Sequence, residues 1–397
     1  MDLLTGSLRH YSWGSRELIA QLRGEDVPSE RPEAELWFGA HPAGSALVGD
    51  ARLVDLIEAD LDGQLGAQVR QKFGDRLPFL LKLLAAGEPL SLQAHPSLAQ
   101  AQEGFARENA EGIPLSADHR NYKDDNHKPE LIVALTEFEA MAGFRPLADT
   151  VALLEKLACP EMDRYLAMIQ PDAANEENDL RALFTTWITI PATVRTSLIS
   201  ALIDATERAL NTATLTDSER DALHNIVQLH ERYPFDVGIL GALLLNKFTL
   251  QPGEALYLDA GQLHAYIKGL GVEIMANSDN VLRGGLTPKH VDVPELVRVL
   301  TFNSLGSPQV TPLNDGPWLR YPTPIDEFSL ATAHINEPVH LDSPGPAIVL
   351  NVAGTVEATC DGKTVTLHPG MALWIAARDG EVTLTSKNSA QVFLAEV

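Results

Sequence analysis

The chain has 397 residues and carries 30 Lys plus Arg against 54 Asp plus Glu, so 30 − 54 sets its formal charge at −24, with a pI near 4.8. That balance excludes nucleic acid and anionic membrane as partners, because polyanions are held by clustered cations that release counterions. Hydrophobic residues make up 45% of the chain, enough for sizeable cores, and the length predicts two or three domains of a soluble globular protein.

Met1 to Trp13 lacks a cationic start followed by an apolar stretch, and no later segment offers about 18 uninterrupted apolar residues. The expectation is a cytoplasmic protein. Cys159 and Cys360 are far apart and neither belongs to a CxxC pair, which predicts two packed thiols rather than a disulfide framework or a thiolate metal site.

From Pro78 to Phe144 short apolar runs alternate with Gly, Pro and Asn. Pro78 to Leu84, Leu90 to Ala94 and Glu130 to Leu135 predict strands, and Ser97 to Glu111 predicts a helix with Ser97 as its N-cap. Near Leu147 the period changes. Segments such as LADTVALLEKLA and TSLISALIDATERALN space their apolar residues by three to four, so residues of about 147–246 predict a helical block between two β-rich parts. Its least ordered stretch is expected near Asp172 to Asp179, and strand signals return at Lys247.

The last part contains an echo. Leu250 to Ala260 reads LQPGEALYLDA and Leu367 to Ala377 reads LHPGMALWIAA, a pattern that favours a duplicated β-barrel unit. Four residues beyond the first copy stands His264; four beyond the second stands Glu381, with no histidine nearby. Only the first copy is equipped to bind a metal through imidazole, and the second is expected to be structural.

Three segments concentrate ligand-type side chains. Gln93 and His95 are two apart and share a face if their segment is a strand; YKDDNHKPE delivers His127, Lys128 and Glu130 onto the run LIVAL; His264 and Tyr266 form another i, i+2 pair. Gln93, His95, Glu130 and His264 would supply two imidazole nitrogens and two oxygens, a set that suits Zn²⁺ and tolerates Mn²⁺, Co²⁺ or Fe²⁺. Taken singly, a histidine is more often structural than a ligand. His10, His41, His119, His224, His230, His290, His334, His340 and His368 keep that reading.

YKDDNHKPE has the form Y-x-D-x-N-H-K-P-E of type I mannose-6-phosphate isomerases. The resemblance continues through SWGS (Ser12 to Ser15), ELWFGAHP (Glu35 to Pro42), LSLQAHP (Leu90 to Pro96), YPFDVGILGALLLN (Tyr233 to Asn246) and SDNVLRGGLTPKHVDV (Ser278 to Val293). It implies a mainly β fold with a helical insert: two cupin-type (jelly-roll) β-barrels plus an α-helical domain. The catalytic metal-binding cupin domain would comprise 1–146 and 249–320, the helical insert 147–248, and a C-terminal cupin-like domain without metal ligands 321–397.

The resemblance also implies interconversion of mannose 6-phosphate and fructose 6-phosphate by a monomer with one Zn²⁺ per chain, held by Gln93, His95, Glu130 and His264. Arg283, within NVLRGGLTPK, falls on the family's active-site arginine and would stabilise an enediolate. Candidates for the proton carrier are Glu273, Asp279, Lys128, Tyr266 and a water on the ion. No GxxxxGK[ST] or GxGxxG loop is present, so the phosphate would be met by Ser91, Lys128 and Lys289, or by Lys82, although Lys82 lies in an apolar run and reads more simply as a solvated, snorkelling lysine. A sugar-phosphate-binding cupin without activity and a metal-dependent cupin oxygenase are the rival readings. The first predicts gaps among these residues, and the second predicts two histidines and one carboxylate without glutamine or a phosphate socket. The sequence shows neither pattern. The net charge is no objection to a small anionic substrate, since bulk repulsion is screened within about 8–10 Å.

Overall fold

The computed structural model describes residues 1–169 and 175–397, in which three β-sheets are stacked and a block of helices covers one flank. An eleven-stranded sheet contains Phe79–Ala86, Leu92–Ala94, Glu130–Ala134, Phe138–Phe144 and His264–Ala276, the strands that carry the ligand-type residues. A nine-stranded sheet lies against it and a four-stranded sheet lies against the other face of that one. Period-two alternation builds the stack. Ile348, Leu350, Ala372 and Trp374 of the middle sheet pack with Leu81, Leu83, Leu131, Val133, Val272 and Ile274. Their neighbours Ala347, Val349, Leu373 and Ile375 pack with Val356, Ala358, Val382 and Leu384 on the far side.

The predicted elements recur with small shifts of boundary. Ser97 caps the helix Leu98–Ala110 in a reciprocal capping box with Gln100, the arrangement that satisfies two otherwise orphaned N–H groups. Strand structure resumes at Leu245, two residues before Lys247. Of the stretch expected to be least ordered, residues 172–174 lie outside the described residues. Asn175 to Asp179 open the helix Glu176–Ile188, where the Glu176 carboxylate accepts from the Leu147 N–H and the Ser304 hydroxyl, 2.8 Å each. No single helix among the described residues is long and apolar enough to cross a membrane. Both cysteines are buried and free.

The β-rich fold with a helical block is observed in its coarse form. None of the three sheets closes on itself among the described residues, and they stack face to face. The segment 1–146 also contributes to more than one sheet, because Asp2–Thr5 pairs with Ala372–Ile375 and with Leu47–Val48 in the nine-stranded sheet.

The sequence echo is also an echo of the backbone. In each copy the Pro-Gly pair forms a turn, the Gln251 carbonyl accepting from the Glu254 N–H (2.9 Å) and the His368 carbonyl from the Met371 N–H (3.0 Å). The glycine takes a positive φ, 91° at Gly253 and 81° at Gly370, as the third residue of a type II turn must. The strands that follow pair in one register: Leu258 and Met275 flank Glu130, and Ile375 and Glu396 flank Ala347. Alanine therefore stands at 347 where the first copy has Glu130. His264 stands opposite Ala142 on the strand that Leu250 joins at Phe138; in the second copy Leu367 joins at Val356, and the strand opposite, Val382–Thr385, holds no histidine, so the imidazole also has no counterpart.

The second copy turns its hairpin Val356–Cys360/Lys363–Leu367 on Asp361 and Gly362, both at positive φ. In the first copy the corresponding strands, Phe138–Phe144 and Leu245–Leu250, pair with each other across the whole helical block. The insertion thus occupies a hairpin turn. Its helices bury Leu153, Phe184, Trp187, Leu202 and Ile226 in one cluster with Leu92, Ala94, Ala265 and Ile267, the outward-facing neighbours of Gln93, His264 and Tyr266. The helical block backs the strands that carry the site.

Gly253→Ala should lower the urea midpoint followed by circular dichroism by an amount equivalent to about 1–2 kcal/mol, because a Cβ there meets no atom within 4 Å and only the left-handed backbone is penalised. An unchanged midpoint would show that the turn relaxes without cost.

Candidate metal centre and active-site cavity

The strand His264–Ala276 pairs with Leu92–Ala94 and Phe138–Phe144 through its first part and with Phe79–Ala86 and Glu130–Ala134 through its second. Between the parts Gly269 takes φ 124°, and a Cβ on it would lie 2.6 Å from the Glu137 carbonyl oxygen. Glycine is required there. The irregularity shifts the alternation by one residue, so His264 and Tyr266 face a common cavity before it and Glu273 and Met275 after it. Tyr266 and Glu273, seven positions apart, consequently meet: the phenol donates to Glu273 Oε1 at 2.9 Å. Gln93 stands opposite His264 on one side and Arg283 on the other, which places all three on one face.

Glu130 and His264 line this cavity of about 460 Å³, a size ordinary for small-molecule sites, and His95 converges with them. Each imidazole uses Nδ1 on a backbone carbonyl, His95 on Asn280 (2.7 Å) and His264 on Gln262 (3.0 Å). Both Nε2 atoms are thereby turned to Glu130, 3.4 Å from Oε1 and 3.3 Å from Oε2. Burial lowers the pKa of His95 to about 4 against the pull of Glu130, so the ring is neutral. Burial alone would raise Glu130, but Lys128 at 2.9 Å and the two histidines hold it well below the ordinary carboxylate range.

The donor set fits a divalent ion. His95 Nε2 is buried and makes no hydrogen bond, and the three candidate ligand atoms lie within 4.8 Å of one another. Two imidazole nitrogens and a carboxylate oxygen are a Zn²⁺ set. Gln93 lines the same cavity, its amide donating to Ser91 Oγ at 3.4 Å.

Lys82 departs from the solvated reading. It is 4% exposed, and Nζ donates to Glu273 Oε2 at 2.8 Å. Burial pulls its pKa down, and Glu273, Glu35 and Glu130 more than offset this, so Lys82 stays charged. A lysine in an apolar run was held inside by carboxylates on neighbouring strands, which the run itself does not disclose. Glu273 is 2% exposed, and burial raises its pKa above the ordinary carboxylate value although Lys82 opposes this. Asp279 sits at the rim in a polar turn. Its N–H donates to Asp124 and its carboxylate lies 3.4 Å from His41 Nε2, which, against burial, holds the pKa down.

Arg283 and Lys289 line the opening and have no carboxylate partner among the described residues. Burial lowers the pKa of both, and at Lys289 the like charge of Arg283 lowers it further. Such a pair favours an anion. His127, by contrast, turns away to Glu327, 2.5 Å distant, and ties the motif to the C-terminal part.

Sequence reasoning missed the clasp that orients His95. Asn280 is fully buried; its side-chain oxygen accepts from the Lys123 and Asp124 N–H groups and its amide donates to the Asp124 and Asn126 carbonyls. The D and N of YKDDNHKPE and of SDN interlock here: Asp124 accepts from Ser278 Oγ at 2.7 Å. Glu35 and Trp37, near Lys82, were also missed, although ELWFGAHP contains them.

Stacked sheets with a buried His–Glu–His cluster beside a cation-rimmed cavity define a metal-site protein for a small polar solute. The model for phosphomannose isomerase type I, catalytic domain, matches residues 1–147. Mannose-6-phosphate isomerase from Escherichia coli (strain K12) is 39% identical to this chain, the match covering 97% of each, and the protein of that name from Homo sapiens is 32% identical, covering 99% of this chain and 97% of its own. A crystal structure of a variant phosphomannose isomerase from Salmonella typhimurium is similar at a TM-score of 0.89 and 36% identity, covering 100% of this chain and 98% of that one. A mannose 6-phosphate isomerase bound with zinc and yttrium is similar at 0.88 and 36%, with the same coverage. The chain belongs to the type I mannose-6-phosphate isomerase family.

Asn280→Ala should weaken Zn²⁺ binding by about 10–100-fold in chelator competition, the usual effect of losing the group that orients a ligand. Wild-type affinity would show that His95 keeps its orientation without the clasp.

Proposed function

We propose that the chain interconverts mannose 6-phosphate and fructose 6-phosphate, and that the residues described above do the work. The observation that carries this reading is that Glu130 and His264 of the His95–Glu130–His264 cluster line one cavity with the buried Lys82–Glu273–Tyr266 row. One Zn²⁺ per chain is assigned to His95, Glu130 and His264 with Gln93 alongside; Mn²⁺, Co²⁺ or Fe²⁺ suits the same donors. When bound, such an ion supplies Lewis-acid polarisation to the sugar oxygens.

Aldose and ketose exchange when a proton leaves the carbon beside a carbonyl and returns to its neighbour. Glu273 is the proton carrier in this account. Both its oxygens are held, one by Lys82 and one by Tyr266, so its position is fixed. Its raised pKa brings it closer to the working pH, where a base both takes and returns a proton. Arg283, on the face of Gln93 and His264, presents a permanently charged donor fork to the oxyanion that develops on the sugar. Lys289 and Ser91 are assigned to the phosphate, whereas Lys82 is committed to Glu273. Lys128 keeps Glu130 ionised, and Asp279 shapes the rim.

In domain terms, we assign the catalytic cupin-type unit to 1–146 and 249–320 and the helical insert to 147–248. The related unit in 321–397 is assigned no ion, a reading supported by Ala347 at the position of Glu130 and by the absence of histidine from Val382–Thr385, the strand that corresponds to the start of His264–Ala276. A monomer is assigned as the working unit, as the family resemblance implies.

A coupled assay of purified protein with mannose 6-phosphate, before and after chelation and with Zn²⁺ restored, should show turnover that is lost and recovered. No fructose 6-phosphate in any condition would defeat the reading. Glu273→Gln should cut kcat by on the order of 10²–10⁴-fold. Because the carboxylate must be unprotonated to accept a proton, the acid limb of wild-type kcat should lie above the ordinary glutamate value, with activity lost as pH falls through it. A limb at or below that value would exclude Glu273 as the base.

A further inference from the structure

Lys82 reaches two carboxylates. Its Nζ lies 2.8 Å from Glu273 Oε2 and 3.6 Å from Glu35 Oε1, while Glu35 Oε2 accepts from Trp37 Nε1 at 2.7 Å. Strand register fixes the row: Trp37 stands opposite Lys82 and Lys82 opposite Glu273. Glu35 is two residues from Trp37 and so on the same face. Arg9 lies over the indole at 4.2 Å and His41 meets its ring at 5.1 Å, so the donor to Glu35 is itself held in place. All three charges are buried, with Glu35 at 7% exposure.

The proton-transfer account gives Glu35 no task, yet a buried carboxylate is costly unless paired. One ammonium shared by two carboxylates leaves the row with a net charge of −1. Without Glu35, Lys82 would belong wholly to Glu273 and neutralise it. We propose that Glu35 is a positioning residue of this reaction, holding part of the Lys82 charge away from Glu273 so that the Glu273 carboxylate remains free to accept the sugar's proton. The proposal rests on Glu273 as the proton carrier.

The charged and titratable groups facing Glu273 are Lys82 and Glu35 from two strands, Glu130 and Lys128 from a third, Tyr266 from its own strand, and Tyr11 near Glu35 and Lys82. Glu35 and Glu130 raise the pKa of Glu273; Lys82 and Lys128 lower it. Removing the Glu35 charge therefore makes Glu273 a weaker base.

In the zinc-loaded enzyme, Glu35→Gln should lower kcat on the order of ten-fold, leave KM for mannose 6-phosphate within about three-fold, and move the acid limb of kcat to lower pH. Glu35→Asp, which keeps the charge, should keep the limb near its wild-type position. Trp37→Phe removes only the donor to Glu35 and should move the limb the same way by less. Wild-type kcat with an unmoved limb in Glu35→Gln overturns the proposal, as does a loss carried by KM alone. If Glu35→Gln does not fold, an unmoved limb in Trp37→Phe overturns it. Wild-type turnover in Glu273→Gln would instead remove the proton-carrier reading, and no turnover by the unaltered enzyme would remove the isomerase reading, so the failures are distinguishable.

Discussion

The kink at Gly269 sets the arrangement of the site. A strand with strict alternation would place His264 and Tyr266 on one face and Glu273 on the other. The register slips between Tyr266 and Lys268, beside Gly269 at positive φ, and this advances the pleat by one and turns all three into one cavity. The same strand pairs with four others, so the kink also sets where Gln93, Glu130 and Lys82 stand relative to His264. Apolar packing secures it from both sides. The helical insert covers the outer face of its first part, and the nine-stranded sheet covers the outer face of its second.

What this geometry concentrates is charge, on side chains that are themselves largely buried. Lys128 and Glu130 form one pair and Lys82 and Glu273 another, with neutral His95 alongside. Isolated, any of these ions would be costly to bury; together they alternate in sign. The cations at the opening, Arg283 and Lys289, act at contact distance. The −24 of the whole chain is screened over a Debye length of about 8–10 Å and does not repel a sugar phosphate from its site.

Much of this was legible in the residues. Gln93, His95, Glu130 and His264 could be nominated because three segments at strand spacing gather ligand-type side chains, although any one histidine alone reads as structural. Ser97 announced its helix because a capping box is local chemistry. The PGxAL echo marked a turn and strand whose register repeats. The missing parts depend on partners distant in sequence. Lys82 in PFLLKLL reads as a snorkelling lysine until Glu35 and Glu273 are placed on either side of it. The contact between Tyr266 and Glu273 contradicts simple alternation and needed the glycine's backbone angle. Nothing local shows that Asp2–Thr5 enters a sheet with strands more than three hundred residues away.

The central claim is that His95, Glu130 and His264 form one metal centre. Anomalous diffraction at the zinc edge on crystals of the Zn²⁺-loaded protein tests it most directly. A single peak about 2.0–2.2 Å from His95 Nε2, His264 Nε2 and a Glu130 carboxylate oxygen is the predicted result. A peak elsewhere, or none at full zinc loading, would contradict the account.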